Sequence, residues 1–286
     1  MSAPTQLGAC SWSFRPAGPE ALADALLEAG LERLQLGLKP LATAPWRPGW
    51  SPRRTQRALR RAGLQVLSGM VGTLGQDLSS PERFAATGGL VSDEHWPRHQ
   101  VLMRRWARLG ERWELPLVSL HVGCAAPDDA SARERLVERV ALVAREFARH
   151  GARLALETGQ ESPDELLALL REVGEGVGLN LDPANFLLHA SGDPLQATRQ
   201  LAPRALQVHL KDADPPDTPG TWGRERAFGS GAVPWAECLT LIRELAPAVP
   251  LMIEREFGEQ RVADVRLAAQ RAHALLNASS SVADHA

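Results

Sequence analysis

Short apolar runs alternate with longer amphipathic segments along the chain, a pattern typical of repeated strand–helix units around a parallel sheet. Eight of these runs have the length and the Leu-, Val- and Ala-rich content of buried strands. They cover residues 7–12, 33–38, 65–70, 117–122, 153–157, 178–182, 205–211 and 250–254. The pattern therefore predicts eight parallel strands.

The segments between and after these strands repeat apolar residues at a spacing near 3.6, which predicts helices. The predicted helices are 19–29, 52–62, 100–113, 132–150, 163–172, 194–201, 234–245 and 262–277. Pro163 and Pro194 stand at the starts of two of them, where the missing N–H of proline is not needed. Eight strands, each followed by a helix, match the size and order of a (β/α)8 TIM barrel.

A doubly wound open sheet is the alternative, but no GxGxxG phosphate loop follows the first strand. We therefore predict a single barrel domain over residues 1–278 and a flexible C-terminal tail over 279–286. Two connections, 71–99 and 213–233, are longer than ordinary loops and are expected at the C-terminal mouth of the barrel. Their Gly and Pro content predicts ordered, lid-like loops rather than extra secondary structure.

Composition narrows the range of partners. Lys and Arg number 32 and Asp and Glu 34, a net charge of −2, which argues against a protein that binds mainly to nucleic acid backbones. Charged residues, Gly or Pro interrupt every apolar run, so we expect no membrane span and a cytoplasmic protein. Cys10, Cys124 and Cys238 show no CxxC pairing and are predicted to be buried small apolar residues.

Ionisable residues occupy the C-terminal ends of the last four predicted strands. They are Glu157, Asp182, His209 and Glu254. Burying each separately would be costly, whereas convergence on one cation turns the cost into binding energy. Three carboxylates and one imidazole suit one divalent ion, Mn²⁺, Mg²⁺, Co²⁺ or Zn²⁺. The alternative interpretation of each residue is a surface salt bridge.

Several motifs carry a family resemblance over nearly the whole chain. The segments LALETGQE, LNLDPANF, VHLKDAD, PGTWGRERAFGSGAVPW and IERE resemble the sugar phosphate isomerase/epimerase family of xylose isomerase-like TIM barrels. That superfamily also includes the endonuclease IV type of DNA repair enzyme. The resemblance implies that Glu157, Asp182, His209 and Glu254 bind one divalent metal ion and that the two glutamates are the catalytic acid/base pair.

This assignment agrees with the chemistry of moving a carbonyl or inverting the carbon beside it. A metal can stabilise the enediolate, and two carboxylates can remove and return the proton. We therefore expect a metal-dependent isomerase or epimerase of a small sugar, keto-sugar or related polyol, active in carbohydrate metabolism. A dehydratase acting on an inosose or keto-acid is the alternative. Nuclease activity is disfavoured because no second His follows the seventh strand, and a barrel without catalysis is disfavoured by the complete ligand set.

Three further residues are candidates for substrate binding. Lys211 lies two residues after His209, so strand alternation points both to the same side; the alternative is a salt bridge with Asp212 or Asp182. Asn185 stands where many relatives have His, which weakens any contact copied from them. His121 ends the fourth predicted strand and can bind substrate or a second metal, or be a core histidine.

The long connection after the seventh strand adds two candidates. Trp222 offers an apolar face to a sugar ring, and the surrounding glycines permit a tight path close to a ligand. Glu225 is a candidate substrate or second-metal residue, although a surface ion pair with a neighbouring Arg is the simpler interpretation. His95 and His99 are interpreted as surface residues. The expected partner is a small carbohydrate-like molecule, and a homo-oligomer is left open.

Overall fold

Eight parallel strands close into a barrel, which confirms the predicted (β/α)8 fold. The computed structural model describes residues 6–42, 49–124 and 129–283. Around the barrel the strand order is β1-β10-β7-β6-β5-β4-β3-β2, and β8 pairs with β9 in a separate antiparallel hairpin. The strands are β1 Leu7–Cys10, β2 Arg33–Gly37, β3 Gln65–Met70, β4 Leu117–Leu120, β5 Arg153–Glu157, β6 Val177–Leu181, β7 Ala205–Leu210, β8 Asp212–Asp214, β9 Arg224–Arg226 and β10 Leu251–Ile253.

Helices cover the outside of the barrel and also stand at its mouth. They are α1 Pro19–Glu28, α2 Lys39–Ala42, α3 Pro52–Arg61, α4 Pro81–Thr87, α5 Trp96–Arg112, α6 Ala130–Arg149, α7 Pro163–Val173, α8 Pro183–Leu188, α9 Pro194–Leu201, α10 Trp235–Leu245 and α11 Arg261–Ala283. Short 3-10 turns lie at Ser11–Phe14 and Ala202–Arg204. Among the described residues, no helix has both the length and the apolar content needed to cross a membrane.

Capping side chains explain where several helices begin. Ser162 accepts a hydrogen bond from the N–H of Glu165, whose carboxylate in turn accepts from Ser162 N–H, and Pro163 fills the first helical position of α7. Asp182 accepts from the N–H of Ala184 and so caps α8. The cap of α8 therefore comes from a residue that also faces the barrel mouth.

The barrel interior holds a polar layer beneath its mouth. Along β2, Leu34 and Leu36 lie on one face of the strand and Gln35 on the other, as the two-residue period of a strand requires. Gln35 is fully buried, and its amide donates to Ser119 Oγ of β4 at 2.8 Å. Ser68, Asn180 and Gln207 of three further strands are also fully buried.

The two long connections were predicted to be loops without secondary structure. This prediction is wrong, because both contain regular elements. Segment 71–99 contains α4 and the first turn of α5, which begins at Trp96 rather than at residue 100. Segment 213–233 contains the hairpin strand β9, and α8 follows β6 where no helix was predicted. Ser80 and Asp182, each followed by Pro, cap α4 and α8 and are the local signals that the pattern analysis overlooked.

Three smaller corrections concern exposure and the chain end. His99 was predicted at the surface but is fully buried, and Cys124 was predicted to be buried but is only half-buried. Cys10 and Cys238 are buried as expected. The buried His99 Nε2 accepts the backbone N–H of Leu74 at 2.8 Å. Helix α11 runs to Ala283, into the segment 279–286 predicted as a flexible tail, and residues 284–286 lie outside the described part of the chain.

Candidate metal centre

The four ionisable residues from the last four barrel strands lie together at the C-terminal mouth. Glu157, Asp182, His209 and Glu254 each offer a ligand atom, and these atoms lie within 4.8 Å of one another. Nδ1 of His209 is 3.2 Å from Glu157 Oε1 and 3.3 Å from Glu254 Oε2. All four side chains are at most 5% exposed, so they form a compact, buried cluster of ionisable groups.

Strand geometry places each of these side chains. Glu157 is the last residue of β5, and His209 lies near the end of β7. Glu254 follows β10, and its N–H still donates to Leu210 O at 3.1 Å, so the sheet pairing continues to this residue. Asp182 is held by Thr158, whose Oγ1 accepts the Asp182 N–H at 2.9 Å and donates to its carbonyl at 3.0 Å.

The buried amide of Gln35 orients the His209 ring. Nε2 of His209 lies 2.6 Å from Gln35 Oε1, which only accepts, and 3.0 Å from the amide nitrogen of Asn180; the shorter contact favours a hydrogen on Nε2 that is donated to Gln35. Glu254 and Glu157 raise the pKa of His209 well above its ordinary value against the effect of burial, so Nδ1, the nitrogen that faces them, holds a proton that a bound cation would displace. A histidine whose outer nitrogen donates to a carbonyl or carboxylate is the usual arrangement of a metal-ligating imidazole.

Unpaired atoms in the cluster fit a bound cation. Within the described part of the chain, Glu157 Oε2, Asp182 Oδ2 and His209 Nδ1 are buried and have no hydrogen-bond partner, and Glu254 Oε2 lies beside them with Lys211 Nζ at 2.8 Å. Buried polar atoms normally find such partners, because an unpaired one costs free energy. Three carboxylate oxygens and one imidazole nitrogen are ligands that hard to borderline divalent ions accept. The residues present therefore fit a divalent cation.

Burial and nearby cations act in opposite directions on the pKa values of the three carboxylates. Burial raises the pKa of Asp182 to about 7, although Lys211 opposes the shift. Burial also disfavours the charged form of Glu157, but His121 and His209 together hold its pKa below the ordinary value. For Glu254 the nearby Lys211 outweighs burial and lowers the pKa well below the ordinary range. A divalent ion would supply charge that favours all three carboxylates.

Lys211 forms part of the site through ion pairs. Its Nζ is 2.7 Å from Glu256 Oε2, 2.8 Å from Glu254 Oε2 and 3.6 Å from Asp182 Oδ2. It is 3% exposed and lies on the same side as His209, as strand alternation predicted. The alternative of a salt bridge thus holds for Asp182, whereas Asp212 instead accepts the backbone N–H groups of Gly229 and Gly231.

The other predicted substrate residues surround this cluster. Asn185 is buried, donates to Thr158 O at 2.7 Å and presents its Oδ1 at 3.4 Å from Lys211 Nζ. His121 is 27% exposed, with Nε2 at 3.6 Å from Glu157 Oε1, so it is not a core histidine. Trp222 is half-buried, and its indole N–H donates to Leu78 O across the mouth at 3.1 Å.

Glu225 is not the surface residue of the simpler interpretation. Its side chain is 2% exposed and lies 2.7 Å from Arg255 Nη1, so the partner is an arginine thirty positions away rather than a neighbouring one. It also accepts the N–H of Glu256 at 3.1 Å. Glu225 therefore joins the hairpin β8–β9 to the segment after β10. Gly223 permits this path, since a Cβ there would meet Asp214 O at 2.6 Å.

Sequence reasoning missed Gln35, Trp12 and Glu256. Trp12 donates its indole N–H to Glu254 Oε1 at 2.7 Å, which leaves Oε2 facing His209. A polar Gln35 between two leucines of a buried strand is a sequence signal that could have been used. Glu256 lies two residues after Glu254 in the same motif and can reach the same face by alternation.

Two cavities open beside the cluster. The first, about 660 Å³, is lined by Trp12, Lys39, Trp50, Glu157 and Glu254 among others. The second, about 580 Å³, lies toward the loops after β3, β6 and β7. Both volumes fall within the roughly 300–1,000 Å³ of small-molecule sites.

Solved structures of similar fold cover almost the whole chain. A xylose isomerase domain protein from Planctomyces limnophilus is 28% identical, with a TM-score of 0.80 over 91% of this chain and 93% of that one. A xylose isomerase-like TIM barrel protein from Mycobacterium smegmatis, solved in complex with magnesium, is 16% identical, with a TM-score of 0.70 over 96% and 97%. An L-ribulose 3-epimerase is 15% identical, with a TM-score of 0.75 over 98% and 97%.

The search of curated proteins found no match. The family model described as xylose isomerase-like TIM barrel matches residues 23–276, which include every residue of the four-membered cluster. A match of this extent, together with the closed parallel barrel, confirms the resemblance seen in the motifs. The chain belongs to the xylose isomerase-like TIM barrel family.

Proposed function

We propose that the chain is a divalent-metal-dependent isomerase or epimerase of a small sugar, keto-sugar or related polyol. The observation that carries the proposal is the convergence of four buried side chains, two of them glutamates, that each offer a ligand atom within 4.8 Å of the others. A bound Mn²⁺, Mg²⁺, Co²⁺ or Zn²⁺ would be held by Glu157, Asp182, His209 and Glu254. It would supply Lewis-acid stabilisation of the negative charge that develops on adjacent substrate oxygens.

Glu157 and Glu254 are the proposed acid/base pair. Isomerisation or epimerisation removes a proton from the carbon next to a carbonyl and returns one to a carbon of the resulting enediolate. The pKa of each glutamate lies below its ordinary value, because His121 and His209 beside Glu157, and Lys211 beside Glu254, outweigh the effect of burial. Both side chains are therefore carboxylates at neutral pH, which is the form that accepts a proton.

Neighbouring residues prepare each glutamate for its role. The Trp12 indole N–H fixes Glu254 through Oε1. His121 lies 3.6 Å from Glu157 and is 27% exposed, so it can pass a proton between this carboxylate and solvent. Lys211 and Asn185 stand side by side at the edge of the cluster, where an ammonium and an amide can donate hydrogen bonds to substrate hydroxyls.

The test is solvent hydrogen exchange with defined substrates. Protein loaded with Mn²⁺ is incubated in D₂O with a panel of ketoses and inososes, and the products are analysed by NMR. We expect deuterium at the carbon beside the carbonyl of the true substrate and a rearranged product. Loss of water from an inosose would instead identify the dehydratase. No exchange in any panel member, with metal binding verified by calorimetry, would contradict the proposal.

A further inference from the structure

The second cavity has a wall of aromatic and aliphatic side chains opposite its polar residues. We call it the aromatic lobe and define it by Leu78, Phe84, His189, Trp222 and Phe257. Phe257 and Leu78 at its rim are 66% and 64% exposed, the two highest values among the large hydrophobic residues that stand out as exposed. Exposed apolar side chains that flank a cavity next to a reaction site are typical of a binding surface.

Ring contacts and one hydrogen bond hold the wall of the lobe together. The rings of Phe84 and His189 stack with centroids 5.9 Å apart, and Trp222 meets His189 edge-on at 4.9 Å. Trp222 is fixed by its hydrogen bond to Leu78 O, so the loops after β3 and β7 hold each other. Little side-chain entropy is therefore lost when a planar group binds against this wall.

The lobe is continuous with the metal centre. Lys211 and Asn185, which border the ligand cluster, also line the lobe. His121 and Glu256 line both cavities, and His121 is 3.6 Å from Glu157. A molecule whose reacting carbon lies at Glu157 and Glu254 can therefore extend a substituent into the lobe without leaving the site.

Electrostatics at the lobe disfavour a phosphate or carboxylate substituent. Burial lowers the pKa of His189 to about 3, so this ring is neutral at physiological pH. The cation at the inner end, Lys211, is paired with Glu254 and Glu256. At the end of the lobe farthest from the metal centre, Arg224 Nη2 lies 3.2 Å from Asp217 Oδ2. Within the described lining, each cation thus has a carboxylate partner, and an anionic ligand would have to compete with it.

We propose that the aromatic lobe binds an uncharged aromatic or aliphatic substituent of the substrate. The substrate class is then a ketose or keto-polyol that carries a bulky apolar group, rather than a free pentose, hexose or sugar phosphate. This inference rests on the proposed function, which identifies the reacting half of the substrate as a keto-sugar or keto-polyol. It concerns binding of the non-reacting half, which can be measured without turnover.

The experiment compares two probes that differ only in this substituent. Isothermal titration calorimetry of Mg²⁺-loaded protein measures the Kd of the phenyl and of the methyl glycoside of 3-keto-β-D-glucopyranose, two keto-sugars with the same reacting half. We expect the phenyl compound to bind about tenfold more tightly because its ring is buried in the lobe. Trp222→Ala and Phe257→Ser are expected to abolish this preference. Leu142→Ala, at a 44% exposed position on α6, is the matched control and should retain it.

The possible outcomes separate the two proposals. A phenyl preference that the lobe variants remove supports the lobe even if no substrate exchanges deuterium, in which case only the proposed reaction fails. Equal affinities for the two glycosides in the wild-type protein would overturn the lobe, whatever the exchange experiment shows. Phe257 is exposed, so Phe257→Ser remains informative if Trp222→Ala does not fold. A dimer that dissociates in Phe257→Ser, without a phenyl preference, would assign the rim to a second copy and also overturn the proposal.

Discussion

Gln35 Oε1 lies 2.6 Å from His209 Nε2, and this contact decides which nitrogen of His209 faces the carboxylates. Gln35 is itself fixed, because its Nε2 donates to Ser119 Oγ at 2.8 Å. The amide therefore holds the ring so that Nδ1 lies next to Glu157 and Glu254. A residue of the second barrel strand thus orients a histidine of the candidate metal centre on the seventh.

The first prediction is that Gln35→Ala weakens metal binding. Without the acceptor, the His209 ring can rotate, so binding must order it; removal of such outer partners typically costs about 10–100-fold in affinity. Calorimetric titration with Mn²⁺ measures the effect. Gln65→Ala is the matched control, since Gln65 is exposed at the start of β3. Equal affinities in Gln35→Ala and the wild type would refute the orienting role.

The second prediction concerns the acid/base pair. Glu254→Gln keeps the shape of the side chain and the hydrogen bond from Trp12, but removes the group that exchanges a proton. We expect the deuterium exchange rate at saturating Mn²⁺ to fall by about 10²–10⁴-fold. The exposed Glu259 provides the control variant Glu259→Gln, whose rate should equal that of the wild type. Full turnover of Glu254→Gln with metal bound would show that this residue transfers no proton.

The third prediction distinguishes how the charge of Lys211 and the charge of a bound metal each contribute to the free energy of unfolding. In Lys211→Met the buried carboxylates of Glu254 and Asp182 lose their cationic partner, a change that typically costs about 3–5 kcal/mol. The free energy of unfolding of the metal-free protein, measured in urea, should fall accordingly. Added Mn²⁺ should restore much of it, because the ion neutralises the same carboxylates.

Glu256→Gln is the comparison for this experiment, because the Glu256 side chain is 45% exposed and a solvated partner contributes little. We expect a much smaller loss of stability in this variant than in Lys211→Met. A similar loss in both variants, or a loss in Lys211→Met that metal does not reduce, would mean that Lys211 stabilises the fold independently of the cluster.

The positions of the ligand cluster could be predicted because barrel topology leaves little freedom there. In a parallel barrel every strand ends at the same mouth, so ionisable residues at the ends of consecutive strands must lie near one another. The motifs around Glu157, Asp182 and His209 therefore indicate where these side chains lie in the barrel as well as which residue types the cluster contains. The sequence pattern also predicted the closed barrel, since the strand–helix alternation runs through the whole chain.

Contacts between distant loops could not be predicted in the same way. The partner of Glu225 is Arg255 on another loop, whereas local spacing pointed to Arg224 or Arg226. The helix α4 lies in a segment where Gly and Pro suggested only loops, and its Phe84 packs on Trp222 with ring centroids 5.8 Å apart. Such pairs depend on how the loops pack over the barrel mouth. Hydrophobic periodicity predicts helices and strands but not contacts between loops.

The last prediction is a pH dependence of stability that arises from His99. Burial lowers the pKa of this imidazole to about 4, and its Nε2 must stay unprotonated to accept the Leu74 N–H. The unfolded chain protonates His99 near its ordinary value of 6.5, whereas the folded protein resists protonation until about pH 4. The stability linked to the neutral ring is therefore complete above pH 6.5 and is lost as the pH falls toward 4.

At about 1.4 kcal/mol for each pKa unit, this linkage amounts to about 3 kcal/mol between pH 7 and pH 4. His99→Gln keeps a side-chain acceptor for Leu74 but does not titrate, so its unfolding free energy should fall less over this range. His273→Gln, on the exposed face of α11, is the control and should follow the wild type. Urea denaturation at pH 7, 5.5 and 4 measures the three curves. Parallel curves for the wild type and His99→Gln would contradict the assignment. The variant has no imidazole at position 99, so an unchanged pH dependence would have to come from other groups.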